Sequence, residues 1–153
     1  AHVGEGQAAL ERAAADALFV SLLLFAAGRF AGTAMMARVR PATMLALFAG
    51  VAVALTVVAA TVGGRWGLYA LVGTSFFMSI QFPTIFALGV EGLGPLRRAG
   101  ASLLIMAIIG GALLTAAMGW LSDRVGITAA MLVPAAAFVV IAVFARWARE
   151  PRP

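Results

Sequence analysis

The 153 residues carry a formal charge of +5, yet hydrophobic residues make up 63% of the chain, charged residues only 11%, and the mean hydropathy is +1.05; soluble domains are roughly 25% charged. That composition argues against a water-soluble fold, and the absence of cysteine removes disulfide frameworks and thiolate metal sites. All 11 basic residues are arginine and most flank hydrophobic runs, so the basic balance reads as a membrane-topology signal, and no nucleic-acid partner is expected.

In chain order, residues 1–16 form a polar segment with Glu5, Glu11 and Arg12 in place of a basic stretch leading into a short apolar core. That reads as an extracytoplasmic loop and not as a signal peptide. A chain opening on such a loop without Met is expected to be cut from a longer protein. Five apolar spans follow, over 17–37, 43–62, 66–89, 101–121 and 128–148, each near the roughly 20 residues that cross the hydrocarbon core. The short connections between them make consecutive helices antiparallel, and residues 149–153 are a tail. The expected fold is all-α, a polytopic transmembrane bundle with no room for a separate globular domain.

Arginine counts orient that bundle. Arg38, Arg40, Arg97, Arg98, Arg146, Arg149 and Arg152 fall on one side, Arg12, Arg65 and Arg124 on the other, which predicts a cytoplasmic C-terminus. Trp66 and Trp147 sit at span ends as interfacial anchors.

Few polar residues lie inside the spans. Arg29 is the one charge well within a helix, where it either snorkels to the interface or forms a gate contact with Glu91 as the nearest candidate counter-charge. Gly28 and Gly32 flank it at the spacing that lets membrane helices approach closely, and Ala107, Gly111, Thr115 and Gly119 repeat the device in the fourth span. In the third span, Thr74, Phe77, Gln81 and Thr84 share one helical face. An amide can donate to and accept from sugar hydroxyls, and a ring suits a sugar's C–H face; the alternative is that Gln81 joins neighbouring helices by a hydrogen bond. Pro83 removes one backbone hydrogen bond nearby and loosens the helix.

The spans hold no acid, histidine or cysteine for intramembrane catalysis, and there is no glycine-rich phosphate loop with a lysine. Neither an enzyme activity nor a cofactor or metal is expected.

The segments GRFAGTAMMARVRP, FFMSIQFPTIFALGVEGLGPLRRAGASLLIMAIIGGALLTAAMGWLSDRVG and MLVP resemble the fucose, glucose and galactose permeases of the major facilitator superfamily, from about Leu18 to Arg146. The resemblance implies helices eight to twelve of a twelve-helix sugar and proton symporter of the inner membrane. Its partners are then a hexose or deoxyhexose, a proton, membrane lipid and the N-terminal helices that carry the proton-binding carboxylates. It assigns cavity lining to the first, third and fourth spans, and so favours Gln81, Thr84, Phe77 and Thr74 as sugar contacts. It also implies a cytoplasmic latch of Arg38, Arg40, Glu91 and Arg97 or Arg98, although the acidic residue usual beside Arg38 and Arg40 is missing. The competing readings are a related transporter of another small solute and a membrane scaffold that no longer transports.

Overall fold

The structure, a computed structural model, describes residues 2–149, with side chains from 6 onward. Arg152 and the rest of the expected tail beyond 149 lie outside the described residues. The helices are α1 (His2–Met36), α2 (Pro41–Val62), α3 (Gly64–Met78), α4 (Gln81–Val90), α5 (Arg97–Met106), α6 (Ile108–Val125), α7 (Ile127–Ala130) and α8 (Leu132–Trp147), with a 3-10 turn at Gly94–Leu96. Five stretches of the described chain are long and apolar enough to cross a membrane: Gly6–Met36, Pro41–Val62, Gly64–Val90, Gly94–Val125 and Ile127–Trp147.

One expectation is corrected at the start. Residues 2–16 are not a loop but the first four turns of α1. The segment contains no proline and is rich in alanine, the strongest helix former, so the helix of the first span continues through it. Polarity marked where the apolar span ends, and not where the helix ends.

Three of the five spans are interrupted, and two interruptions follow from proline. Pro83 has no N–H to offer the Ser79 carbonyl four residues earlier, and the third span breaks at Ser79 and Ile80, between α3 and α4. Pro134 stands in the same relation to Ala130, and the fifth span breaks at Met131. A Pro83→Ala variant regains the missing donor. Its amides over residues 79–84 are expected to exchange about fivefold more slowly, the equivalent of one hydrogen bond of about 1 kcal/mol. Hydrogen-exchange mass spectrometry on the purified protein measures this, and unchanged exchange would place the cause of the break elsewhere.

The connections are as short as geometry allows. Only Gly63 separates α2 from α3, and both Gly63 and Gly64 have positive φ (62° and 55°), a conformation glycine adopts without the Cβ penalty. At the other end Pro41 opens α2, where its missing N–H costs nothing, and Arg40 before it is extended.

Because consecutive spans alternate in direction, Arg38, Arg40, Arg97, Arg98, Arg146 and Arg149 gather at one end of the bundle. The middle of the bundle is α2. Its alanine-rich face, with Ala42, Leu45, Phe48, Ala49, Ala52, Thr56 and Ala59, is buried against α8 and α3. Small residues there bring the backbones close, which matters in lipid, where helix association rests on packing more than on hydrophobic burial. At the arginine-rich end Ala42 and Leu45 pack with Leu88 of α4 and Ala145 of α8. Deeper in the bundle Met44 and Phe48 pack with Ile80, Met36, Phe76 and Phe77.

The first span leans on the third through its glycines. A Cβ on Gly28 would lie 2.7 Å from the Ser79 hydroxyl and against the Phe76 carbonyl, and one on Gly32 would lie 2.6 Å from Ile80 Cγ2. Close packing, which their spacing predicts, is therefore what these glycines do. The fourth span differs: none of its residues is buried, and Gly110, Gly111 and Gly119 meet nothing within 4 Å. Its small-residue ridge is an open face among the described residues.

Candidate functional site

The break in the third span gathers the polar residues singled out above. Thr74, Ser79, Gln81 and Thr84 are all buried. Their polar atoms are largely used within their own helices: Thr74 Oγ1 donates to the Ala70 carbonyl (3.0 Å), Ser79 Oγ to Phe76 (2.7 Å), Gln81 Nε2 to Phe77 (3.1 Å) and Thr84 Oγ1 to Ile80 (2.6 Å). The Gln81 amide engages the Phe77 carbonyl just before the interruption, as expected of a side chain that re-satisfies a broken membrane helix, whereas the Ile80 carbonyl also accepts from the Thr84 backbone N–H at 3.1 Å. Thr84 also reaches Met36 Sδ at 3.7 Å, tying α4 to the end of α1.

Thr74, Phe77, Gln81 and Thr84 do share a face, and it turns into the bundle at Phe77, Gln81 and Thr84, whereas Thr74 lines a cavity of about 310 Å³ with Leu18, Ser21, Thr56, Ser75 and Phe138. Phe77 is wedged edge-on against Phe48 and Phe76, with ring centroids 5.2 Å apart in each pair. Gln81 is 4% exposed, and its bond is to a carbonyl of its own span, not to a neighbouring helix. As placed, Gln81 and Thr84 keep their polar atoms inside the bundle, and Phe77 is half-buried. Part of the cause is the α2 face, where Met44 and Phe48 pack against Phe77 and Ile80.

The opposite side of the third span is open. Phe82, Ile85 and Phe86 of α4 line a cavity of about 330 Å³ with Leu104, Ala107, Ile108 and Gly111 of the fourth span. Phe82 is 54% exposed there, and its ring lies 6.4 Å from that of Phe86, tilted by 40°. The groove therefore offers an aromatic surface directly after Gln81. The sequence reading sought hydroxyls and amides and passed over Phe82; the signal available was the pair of aromatics at i and i+4 next to Pro83.

At the arginine-rich end, Glu91 lines a cavity of about 220 Å³ with Arg40, Pro41, Ala42, Leu88, Ala148 and Arg149. Arg149 donates from Nη2 to the Thr43 carbonyl at 3.2 Å. Of the residues expected in the latch, Glu91 and Arg40 line this one cavity, and the second arginine in its lining is Arg149 and not Arg97 or Arg98. Those two begin α5, exposed, after a turn in which Gly92 and Gly94 take positive φ. Arg38 is exposed in the turn before α2. Arg149 was passed over because it lies beyond the fifth span, in the region read as a tail.

Arg29 is exposed on α1, one residue round from the face that Gly28 presents to the third span, and Thr33 Oγ1 donates to its carbonyl at 2.6 Å. About 10 Å of helix separates it from the Met36 end at 1.5 Å per residue. The cavity that holds Glu91 is lined by Arg40 and Arg149 and not by Arg29.

No protein-family model matches the chain. It is 46% identical over 135 residues to the L-fucose-proton symporter of Escherichia coli (strain K12), covering 88% of this chain and 31% of that protein. It is 36% identical over 117 residues to the glucose/galactose transporter of Brucella abortus biovar 1 (strain 9-941), covering 76% of this chain and 28% of that one. The backbone superposes on the crystal structure of a major facilitator superfamily transporter, FucP, in the outward conformation, with a TM-score of 0.87 and 44% identity, over 90% of this chain and 34% of that one. The chain spans about a third of the length of the curated relatives it matches.

Proposed function

Since the chain belongs to the fucose and glucose/galactose permease family of the major facilitator superfamily, we propose that it forms part of a sugar and proton symporter, with the groove between the third and fourth spans as its share of the sugar path. The observation that carries this reading is the groove itself. It is walled by two of the three spans that the family resemblance assigns to the cavity, and Phe82 and Phe86 give it the apolar surface on which a sugar's C–H face stacks. The protein has no catalytic role in this scheme. It works with the helices its longer relatives carry outside the matched segment, because alternating access needs two bundles moving about a site near the midplane. We place it in the inner membrane with the arginine-rich end and the C-terminus in the cytoplasm, in keeping with the excess of arginine there. Glu91, Arg40 and Arg149 serve as the cytoplasmic charge cluster, with Arg38, Arg97 and Arg98 at its rim and Arg29 nearer the midplane.

Gln81 enters this proposal as the residue that holds the break open toward the groove, with Thr74, Phe77 and Thr84 packed behind it. One N–H of its amide caps the Phe77 carbonyl; removing it leaves that carbonyl unsatisfied and frees the start of α4, on which Phe82 sits.

The test is uptake by the complete transporter. Competition by a panel of hexoses and deoxyhexoses, with and without a proton gradient, is expected to identify one sugar class whose uptake collapses when the gradient is removed. Lack of competition by every sugar would end the proposal in favour of another solute. A Gln81→Ala variant is expected to lower kcat/KM about tenfold, or about 1.4 kcal/mol, by a similar factor for every sugar carried. A fall confined to particular epimers would instead make Gln81 a direct sugar contact.

A further inference from the structure

We propose that the cavity between the ends of α2, α4 and α8 binds the headgroup of an anionic phospholipid, its phosphate between Arg40 and Arg149 and its hydroxyls toward Glu91. Four observations carry this. The cavity, about 220 Å³, has two guanidinium groups and one carboxylate in its lining above an apolar floor of Pro41, Ala42, Leu88 and Ala148. Among the described residues its lining carries a formal charge of +1, which matches a phosphodiester with a single negative charge. One of the two guanidinium groups is held in place, since Arg149 Nη2 donates to the Thr43 carbonyl at 3.2 Å, and arginine can engage phosphate oxygens in pairs. α2 begins at this cavity; Pro41 has no N–H and the Thr43 and Met44 N–H groups donate to the Arg40 carbonyl at 2.9 and 3.1 Å, which leaves the Ala42 N–H of the first turn toward the site.

The depth points to lipid and not to a soluble anion. Trp147, two residues before Arg149, is 59% exposed with its ring against Phe144, the arrangement of an aromatic anchor at headgroup level. Above it the outer face of α8 shows Leu132, Val139, Val140 and Val143, and that of α2 shows Leu47, Val57 and Val58, all exposed. A lipid whose phosphate rests on Arg40 and Arg149 lays its acyl chains along this apolar seam. Basic pockets between helix ends are a recognised form of headgroup site. Glu91 sets the preference within the class: a carboxylate accepts from glycerol hydroxyls, and it disfavours a second phosphate.

The experiment titrates the delipidated, detergent-purified complete transporter with short-chain phosphatidylglycerol, short-chain phosphatidylcholine and inorganic phosphate, following the thermal unfolding midpoint. Phosphatidylglycerol is expected to raise the midpoint saturably, at concentrations about tenfold below those needed with phosphatidylcholine. The Arg149→Gln variant is expected to raise the half-saturating concentration about tenfold, the loss of one charge-assisted bond, while the Arg97→Gln, Arg98→Gln pair at the same end leaves it unchanged. Equal protection by phosphatidylcholine, or equal weakening by the Arg97 and Arg98 pair, would reduce the effect to general surface charge and overturn the proposal. Protection by inorganic phosphate at the same concentration would overturn the lipid and leave a soluble anion. Should Arg149→Gln fail to fold, Arg40→Gln reads the same site from the other wall. The readout is binding, so it is independent of whether sugar uptake bears out the transport reading.

Discussion

A Gly28→Leu variant is expected to unfold roughly 6–12 °C below the unaltered protein, while Gly50→Leu keeps its midpoint. The first span has little else to hold it: its buried positions are Gly28 and Gly32, and its main neighbour is α3. At Gly28 the added Cβ meets the Phe76 carbonyl and lies 2.7 Å from the Ser79 hydroxyl. Neither can retreat, because the first is backbone and the second is bonded to that same carbonyl at 2.7 Å. Overpacking of this kind typically costs about 1–3 kcal/mol, and a whole leucine against rigid backbone belongs at the upper end. Against a net stability of about 5–15 kcal/mol, a loss near 3 kcal/mol corresponds to a fall of roughly 6–12 °C in the unfolding midpoint. Gly50 is exposed on α2 with nothing within 4 Å of a Cβ, so leucine there finds room and improves helix propensity. Size-exclusion chromatography of heated, detergent-solubilised protein reads both variants. Equal midpoints would mean that α1 does not seat on the third span in this way. The cost at Gly32 is smaller, because Ile80 can move its side chain aside.

The same residues show which part of the fold is legible in sequence. Five spans could be read from apolar runs because lipid demands about 20 apolar residues per crossing, and the observed spans begin and end within a few residues of those runs except at the start of the fourth span, which opens at Gly94 and not at 101, and at the start of α1. There the signal failed in a definable way: hydropathy reports where lipid ends, whereas alanine decides where the helix ends. That the first span packs closely on another helix was legible too, since Gly28 and Gly32 stand at i and i+4, but not that its neighbour is the third span. What the sequence could not give was the direction each face turns. Thr74, Phe77, Gln81 and Thr84 line one face by periodicity alone, but whether that face meets a solute or a neighbouring helix depends on α2. The small residues that bring α2 so close carry no mark of which helix they approach. The charge cluster was half legible for a related reason. Glu91 and Arg40 flank spans and announce themselves, but Arg149 joins them only because α8 returns beside α2.

The contrast between Phe82 and Phe77 turns that ambiguity into a measurement. Both are phenylalanines of one span, five residues apart, and the structure gives them opposite surroundings. Phe82 stands 54% exposed in the groove beside Phe86, whereas Phe77 is packed among Phe48 and Phe76. Phe82→Ala therefore removes a surface that only the solute covers. The expected result is a fall of roughly thirtyfold in kcat/KM for sugar uptake by the complete transporter, about 2 kcal/mol of stacking and burial, carried mainly by KM, with an unfolding midpoint close to that of the unaltered protein. Phe82→Tyr keeps the ring and should keep most of the uptake. Phe77→Ala does the reverse: it empties an aromatic cluster at a cost of about 3–5 kcal/mol, lowering the yield and the midpoint, while the molecules that remain folded take up sugar with nearly normal KM. Should Phe82→Ala transport normally and Phe77→Ala bind sugar poorly while staying fully folded, the solute lies on the face now closed against α2. The third span would then have to swing away from α2 at Ser79 and Ile80 to admit it, and the groove between the third and fourth spans would be a surface for helices alone.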